Sequence, residues 1–420
     1  MTAEPVTLGL PAHRAPAAPR SLRAGIAKQI LRLATRQVPV DVVLPDGRLL
    51  NHRSRTAGWP GIVLHRPESL FGRIAENPKI GLGEGYTAGD WHAAEDTDLA
   101  DALTPYAERL STLVPGWMLR LRRLVDQPIP ADQRGAVEDS QENISAHYDL
   151  GNDMFAAFLD PSLSYSSALF DHTRPLAEQD LEEAQLRKVD AALDLAGVGA
   201  GDELLEIGTG WGTLAIEAAR RGARVTTVTL SVEQAALARE RIEAAGYTDR
   251  VEVLVQDYRH VVGTFDAVVS VEMIEAVGER YWPDYFAALS RLVRPGGAIA
   301  LQAILMPHQR YLATRNSYGW IQKHIFPGGL IPSETVISEQ AADVGLSVTR
   351  TDRFGADYAE TLRRWRAAFL ASWPGIRSEE FDEEFRRTWE FYLAYCEAGF
   401  RAGAIDVAQI RLEAHERNRP

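Results

Sequence analysis

Residues 204–215 read Leu204-Leu205-Glu206-Ile207-Gly208-Thr209-Gly210-Trp211-Gly212-Thr213-Leu214-Ala215, and this stretch decides the fold. An apolar run ends at an acidic residue, and alternating glycines then lead into a helix. Glycines permit left-handed backbone angles and close approach to a ligand, and the helix N-terminus favours a carboxylate. The segment predicts a nucleotide-type binding turn, which by itself fits a dinucleotide and S-adenosylmethionine equally well.

The next two strands favour S-adenosylmethionine. Arg224 to Thr229 is a β-branched run that ends in Thr229-Leu230-Ser231-Val232-Glu233-Gln234, not in a lone acidic residue before a loop. Such a strand end can hydrogen-bond a ribose. Val251 to Val255 is followed by Gln256-Asp257-Tyr258-Arg259, which offers a carboxylate and an aromatic ring where an adenine would lie.

Short apolar strands continue to alternate with helices. Phe265 to Val271 leads into Glu272-Met273-Ile274-Glu275, and Pro295-Gly296-Gly297 turns the chain into a fifth strand, Ala298 to Ala303. Two more strands are expected at 346–351 and 405–412. This alternation predicts an α/β fold with a doubly wound parallel sheet.

Length and composition indicate the class of protein. The 420 residues, 45% of them hydrophobic, predict two domains, and the net charge of −13 argues against a nucleic-acid partner. The single cysteine, Cys396, excludes a disulfide framework, indicates a reducing compartment and is expected to be a core residue under a C-terminal helix. Without a signal peptide or a long apolar run, we expect a soluble protein. No metal site is predicted.

The domain boundary is expected near residue 135, in a polar linker over 132–141. Residues 1–20 are expected to be a flexible tail. Residues 21–135 form a small N-terminal α/β domain with a strand pair around Asp46-Gly47 and a helix beginning near Pro67. Residues 136–420 form the main domain.

A basic amphipathic pattern runs from Ser21 to Arg36, where Lys28, Arg32 and Arg36 lie opposite an apolar side. Such helices lie on anionic membranes. A helix docked on its own domain explains the pattern equally well. A second basic stretch, 120–123, slightly favours the membrane.

Several blocks resemble one family in the right order. They are His147-Tyr148-Asp149-Leu150-Gly151-Asn152, Tyr165-Ser166-Ser167, Glu206 to Gly212, Thr229 to Gln234, Ile321 to Gly329 and Phe354-Gly355-Ala356-Asp357-Tyr358. Over residues 145–412 the chain resembles cyclopropane-fatty-acyl-phospholipid synthases and related actinobacterial fatty-acid methyltransferases. Weaker similarity extends to the N-terminal part through Gly81 to Tyr86 and Gly89-Asp90-Trp91, and it implies that the domain over 21–135 helps to bind lipid and associates with the membrane.

The resemblance implies a Rossmann-like class I methyltransferase whose insertions at 305–340 and 353–400 cover an acyl chain, although ordinary helical core explains most of their aromatic residues. It implies a cofactor site for S-adenosyl-L-methionine. That site comprises Tyr165, Ser166, Glu206, Gly208, Thr209, Gly210, Trp211, Gly212, Thr229, Leu230, Ser231, Gln234, Asp257, Tyr258 and Arg259.

Methyl transfer to an alkene leaves a carbocation on the acyl chain. Aromatic faces stabilise positive charge, and Tyr148, Tyr358 and Phe354 are candidates. A base must then remove one proton. Loss from the new methyl beside the cation closes a cyclopropane ring, whereas loss after a hydride shift gives an exocyclic methylene group.

In relatives the base is thought to be bicarbonate. The resemblance assigns its ligands to Glu275, Tyr358 and the Ile304 amide, but Ser167 and Gln302 stand where a cysteine and a histidine are usual. Both can still donate hydrogen bonds, so an anion could bind. Alternatively the bicarbonate site is lost, which favours the enzymes that form 10-methylenestearoyl phospholipid in the tuberculostearic acid pathway. We favour the methylene product, and cyclopropanation is the alternative.

His147 and Tyr148 are also expected at the reaction centre, and the preceding Ala146 is usually acidic in relatives. Natural variation and a substitution both explain Ala146. If a carboxylate there serves the base, Ala146→Glu should raise the rate. These departures keep open a lipid-binding relative without catalysis, whereas the blocks outside the glycine turn disfavour a small-molecule N- or O-methyltransferase.

The resemblance also implies where the chain works and with what. We expect a cytoplasmic protein, peripheral at the inner face of a phospholipid membrane. A separate flavin-dependent reductase would saturate the methylene branch, because nothing in the chain indicates a second redox cofactor. A homo-oligomer remains open.

Overall fold

The computed structural model describes residues 25, 28–29, 31–32, 35–52, 54–109, 151–379 and 381–414. The chain divides into two compact units. The first contains residues 1–130, 316–327 and 369–404, and the second contains residues 131–315, 328–368 and 405–420. Two segments that follow the predicted boundary thus group with the N-terminal part, while the tail, the linker and the basic stretch 120–123 lie outside the described residues.

The second unit is built on a seven-stranded sheet. Its strands are β4 (Glu203–Ile207), β5 (Arg224–Thr229), β6 (Val251–Val255), β7 (Phe265–Val271), β8 (Val293–Leu305), β9 (Leu346–Arg353) and β10 (Asp406–Ala414). They lie in the order β6-β5-β4-β7-β8-β10-β9. The α/β doubly wound fold is confirmed. The expected all-parallel sheet is wrong at one strand, because β10 lies antiparallel between β8 and β9.

The fifth predicted strand begins earlier than expected. Pro295-Gly296-Gly297 lies inside β8, and the register with β7 shifts between Phe265 and Ala267. A Cβ at Gly297 would lie 2.5 Å from the Asp266 carbonyl oxygen. The glycine therefore permits an irregular pairing that a turn signal alone does not reveal.

Helices of the second unit surround this sheet. They are α4 (Asn152–Ala156), α5 (Leu181–Ala196), α6 (Thr213–Arg220), α7 (Val232–Ala244), α8 (Ile274–Val277), α9 (Trp282–Leu292), α10 (His308–Thr314), α12 (Glu334–Asp343) and the first part of α13 (Gly355–Ile376). Their ends follow local sequence signals: Asp180 caps α5 and left-handed Gly197 ends it. Buried apolar side chains fill both faces of the sheet, including Leu204, Val268 and Ile299.

The first unit holds a three-stranded sheet and several helices. The elements are β1 (Asp41–Val43), β2 (Gly61–Leu64), β3 (Trp91–Ala93), α1 (Pro67–Glu76), α2 (Gly81–Thr87), α3 (Leu99–Glu108), α11 (Trp320–His324) and α14 (Glu383–Arg401). The helix predicted near Pro67 is confirmed. The strand pair expected around Asp46-Gly47 is confirmed only in part. An antiparallel bridge joins Val43 to Leu49 across the turn, and the Leu50 amide donates to the Val42 carbonyl at 2.8 Å, but β1 pairs in parallel with β2.

The described part of the basic N-terminal pattern is helical at Lys28, Arg32 and Thr35. The Lys28 ammonium lies 5.7 Å from the centre of the Phe71 ring, and Arg36 Nε donates to the Asn51 carbonyl at 3.3 Å. These contacts favour a helix docked on its own unit, while Arg32 remains exposed.

Cys396 is not under a helix but within α14, where it is partly buried. Burial raises the pKa of its thiol to about 12, so it is not a reactive thiolate. Most aromatic residues of the two insertions are packed in core positions, as Trp365, Phe369 and Phe391 illustrate. In the parts of the chain that the structure describes, no helix is both long and apolar enough to cross a membrane.

Candidate active site

A pocket lies at the carboxyl ends of β4, β5, β6 and β7, where ligands bind in open α/β sheets. Thirteen of the predicted cofactor residues line it, namely Tyr165, Ser166, Glu206, Gly208, Thr209, Gly210, Trp211, Thr229, Leu230, Gln234, Asp257, Tyr258 and Arg259. The other two, Gly212 and Ser231, are absent from the lining. Gly212 precedes α6 with φ of 90°, and Ser231 caps α7 by accepting from the Gln234 amide.

The glycine turn leaves no room for a side chain at Gly208. Its φ is 100°, and a Cβ there would lie 2.7 Å from Met273 Cγ. Its amide donates to the Val228 carbonyl at 2.9 Å, which ties the turn to β5. The turn therefore presents backbone close to the pocket, as a bound nucleoside requires.

Polar groups at the ends of β5 and β6 are held by their neighbours. Thr229 Oγ1 donates to Gln234 Oε1 at 3.0 Å. The Arg259 guanidinium donates to both carboxylate oxygens of Asp257, at 2.9 and 2.5 Å, and holds the pKa of Asp257 below its usual range despite burial. Asp257 thus stays ionised in the pocket.

Glu206 differs from these residues because its carboxylate is incompletely paired. Glu206 is 4% exposed, and among the described residues its Oε2 has no hydrogen-bond partner. Burial raises the pKa of Glu206 to about 8, against the influence of Thr227 and Lys188. A buried, unpaired acceptor needs a donor. The hydroxyl and amino groups of S-adenosylmethionine are donors of this kind, so the glycine turn, Glu206 and Asp257 together fit that ligand.

The four residues predicted for catalysis within the described chain meet next to this pocket, around a residue that was not predicted. The Glu272 carboxylate accepts from the Ser167 amide at 2.9 Å and from Gln302 Nε2 at 2.8 Å on Oε1. Its Oε2 accepts from the Tyr358 hydroxyl at 2.7 Å. Glu275 lies one helical turn further, in α8.

Two details differ from the assignment of these groups to a bicarbonate ion. Ser167 contributes its backbone amide, since its hydroxyl donates to the Ala168 carbonyl at 3.0 Å. The Ile304 amide donates to Glu275 Oε1 at 2.5 Å. The expected donors to an external anion are therefore bonded to carboxylates of the chain itself.

Glu275 and Glu272 differ in their hydrogen bonding. Among the described residues Glu275 Oε2 is buried without a partner, and burial followed by the nearby Glu272 charge raises the pKa of Glu275 to about 8. The raised pKa of Glu275 favours its neutral form. Burial also raises the pKa of Glu272, but the donors from Tyr358, Ser167 and Gln302 oppose that effect.

A buried amide relay orients Gln302. Gln409 Nε2 donates to the Gln302 oxygen at 3.2 Å and to the Lys188 carbonyl at 2.9 Å. Gln302 therefore turns its amide nitrogen towards Glu272. Gln302 and Gln409 are direct partners across β8 and β10, so the antiparallel strand supports the site.

Lys188 brings a positive charge to the same region. Its ammonium donates to Ser166 Oγ at 2.6 Å and it lines the pocket. Burial lowers the pKa of Lys188 to about 8, against the attraction of Glu272, Asp160 and Glu206. The cation partly balances the buried carboxylates.

Some predicted residues are not brought to this site. Ala146, His147 and Tyr148 lie outside the described residues, so their roles stay predictions. Phe354 is 9% exposed and is not part of the pocket lining.

The sequence contained signals for the residues that were missed. Glu272 follows an apolar strand directly, at the end of the sheet where ligands bind. Lys188 falls on the buried face of α5, where a charged side chain is unusual unless it has a partner or a function. Gln409 interrupts the apolar run of β10 in the same way.

The family model described as "Mycolic acid cyclopropane synthetase" matches residues 136–410. The "Tuberculostearic acid methyltransferase UfaA1" of Mycobacterium tuberculosis is 48% identical over 92% of this chain and 90% of its own length. The "Cyclopropane-fatty-acyl-phospholipid synthase" of Escherichia coli K12 is 32% identical, over 88% of this chain and 94% of its own.

Solved structures agree with this match. The mycolic acid cyclopropane synthase CmaA1 complexed with SAH and CTAB superposes with a TM-score of 0.58 at 32% identity, covering 65% of this chain and 97% of the other. The sheet and its pocket define a class I S-adenosylmethionine-dependent methyltransferase. The chain belongs to the mycolic acid cyclopropane synthetase family.

Proposed function

We propose that this enzyme transfers a methyl group from S-adenosylmethionine to the double bond of an oleoyl-type acyl chain in a phospholipid and leaves a 10-methylene branch. The similarity to a tuberculostearic acid methyltransferase over 92% of the chain supports a fatty acyl acceptor. The observation that carries the methylene product is the closed donor set around Glu272, because it replaces the expected bicarbonate ligands.

S-adenosylmethionine, when bound, supplies an electrophilic methyl group on a sulfonium. The glycine turn, Glu206 and Asp257 would hold it, and the hydrogen bond between Thr229 and Gln234 fixes the end of β5 beside them. The protein chiefly aligns the alkene with the methyl group in a dry site, which is worth about 7–11 kcal/mol in favourable cases.

The product depends on how the acyl cation loses a proton. A hydride shift moves the charge to the carbon that carries the new methyl group. Loss of a methyl proton then gives the exocyclic double bond. The proton acceptor must lie within the pocket, since water there would trap the cation.

The test uses the full chain with labelled S-adenosylmethionine and vesicles of dioleoyl phosphatidylglycerol. We expect label in the acyl chains and vinylidene signals in the proton NMR spectrum of the extracted methyl esters. High-field cyclopropane ring protons without vinylidene signals would instead establish the synthase activity named for the Escherichia coli relative. Calorimetry should show binding of S-adenosylmethionine and none of NADH.

We further propose the setting of this reaction. The substrate places the enzyme peripherally at the inner face of a membrane, in the cytoplasm. The methylene product is a substrate for a separate flavin-dependent reductase, which would add hydride and a proton to give a saturated methyl branch.

A further inference from the structure

We propose that Glu272 is the general base of this reaction, an internal carboxylate that takes the place of an external anion. The inference rests on the proposed function. It concerns a residue that the sequence patterns did not single out and that lines the pocket beside the methyl-donor site.

The backbone at Glu272 first indicates a special role. Its φ is 51°, and besides Leu163 it is the only non-glycine residue of the described chain with positive φ. Left-handed backbone is strained for a residue that carries a Cβ. The conformation persists because the Glu272 amide donates to the Gln302 carbonyl at 2.7 Å, which fixes the end of β7 against β8.

The side chain is held by groups from three other parts of the chain. The Ser167 amide, the Gln302 amide group and the Tyr358 hydroxyl are 105, 30 and 86 positions away in sequence. Each donates to the carboxylate, so the ionised form is bound and oriented. A structural carboxylate could be arranged in this way, but this one faces the pocket where the cation forms.

The charges around Glu272 suit proton transfer. The charged or titratable groups near Glu272 are Lys188, Tyr358 and Glu275. Lys188 also interacts electrostatically with Glu206. Burial and the Glu272 charge disfavour a negative charge on Glu275, whereas the nearby Lys188 ammonium favours the ionised form of Glu272. An ionised carboxylate in this setting also attracts a carbocation electrostatically.

The step balances without another reactant. Methyl transfer leaves neutral S-adenosylhomocysteine and a cation on the acyl chain. After the hydride shift, a Glu272 oxygen takes a proton from the new methyl group, the C–H electron pair becomes the second bond of the methylene group, and the cation is neutralised. Glu272 then carries the proton until it is lost to solvent.

The first test compares wild type with Glu272→Gln, using dioleoyl phosphatidylglycerol vesicles. General bases contribute about 10²–10⁴-fold, so the rate should fall by that factor while the affinity for S-adenosylmethionine changes less than about threefold. The matched control, Glu252→Gln, alters an exposed carboxylate on β6 and should leave the rate unchanged.

The second test is chemical rescue of Glu272→Gly. Glycine adopts the left-handed backbone without strain, and the three donors remain to bind a small anion. Formate, acetate or bicarbonate should restore activity in Glu272→Gly and should leave wild type unaffected. A purely structural role predicts no rescue. With deuterated methyl donor, the isotope effect on product formation should be larger in Glu272→Gly than in wild type.

The outcomes separate the two proposals. Wild type that labels no acyl chain refutes the proposed function and, with it, the base. If wild type is active and the rate of Glu272→Gln is within threefold of the wild-type rate, the assignment of Glu272 alone is overturned. The same follows if wild type is active only with added bicarbonate. Absence of rescue by all three anions in folded Glu272→Gly also overturns it.

Discussion

Gly208 lies where the chain leaves β4, and its positive φ and contact with Met273 make it intolerant of a side chain. Left-handed strain alone costs about 1–2 kcal/mol, so we expect Gly208→Ala to lower the free energy of unfolding by more than this. We also expect it to weaken S-adenosylmethionine binding at least tenfold. Denaturation and calorimetry measure the two effects.

Gly246→Ala provides the matched control for this prediction. Gly246 also has positive φ, at 79°, but a Cβ there would meet nothing within 4 Å. It should lose stability without losing affinity for the cofactor. Equal affinities in the two variants would contradict a role for close approach at Gly208.

Glu206 should link stability to pH. Its folded pKa of about 8 lies above the ordinary value of 4.5, so the unfolded chain releases the proton first as pH rises. The free energy of unfolding of wild type should therefore decline, relative to Glu206→Gln, between about pH 4.5 and 8. Glu206→Gln should also bind S-adenosylmethionine less tightly. A constant difference across that range would disprove the assigned pKa.

The residue scale also shows where sequence reasoning reached its limit. The pocket residues could be predicted because they cluster at strand ends in fixed blocks, and Glu206 is an example. Glu272 also follows a strand end, but its role was not predictable, because that role depends on a left-handed backbone and on donors as far as 105 positions away. Neither feature leaves a local pattern.

At the scale of elements, α2 shows how small residues permit close packing. A Cβ at Gly83 would lie 2.5 Å from Trp320 Cδ1 and 2.7 Å from Phe391 Cε1. Overpacking of this kind costs about 1–3 kcal/mol, so Gly83→Ala should destabilise the first unit although alanine favours helices. Chemical denaturation measures the loss.

Gly375 in α13 gives the opposite expectation. It is helical, and a Cβ there would meet nothing within 4 Å. Gly375→Ala should gain about 0.5–1 kcal/mol. A similar gain in Gly83→Ala would mean that the ring contacts in the first unit can relax.

The elements themselves differed in how well they could be predicted. Strands β5, β6 and β7 match their predicted bounds because each is a short run rich in β-branched residues. The direction of β10 was not predictable, since hydrophobicity is the same in either direction along a strand. The strand pair near Asp46-Gly47 was found only in part, because one bridge follows the turn while the three residues of β1 pair with the distant β2.

At the scale of the molecule, membrane docking by the N-terminal basic residues can be tested at Arg32. Lys28 and Arg36 have contacts within the first unit, whereas Arg32 is exposed, so its reversal should leave the fold intact. Arg32→Glu should weaken binding to anionic vesicles about fivefold or more, since one basic group is worth about 1 kcal/mol there.

Co-sedimentation at low salt measures this effect. Arg224→Glu makes the same change in net charge in the second unit and should bind vesicles as wild type does, because its side chain is 72% exposed outside the basic pattern. Equal binding by Arg32→Glu and wild type would exclude a role for the helix in docking.

The position of β10 also determines the order in which the strands can pair during synthesis. During synthesis, β8 and β9 emerge well before β10. Each therefore keeps an unpaired edge until Asp406–Ala414 has left the ribosome and can pair with both. Unpaired edges invite aggregation, and pairing between distant segments is slow. Because Gln409 lies on that strand and orients Gln302, the donor that Gln302 offers to Glu272 is oriented in this way only once β10 has paired with β8.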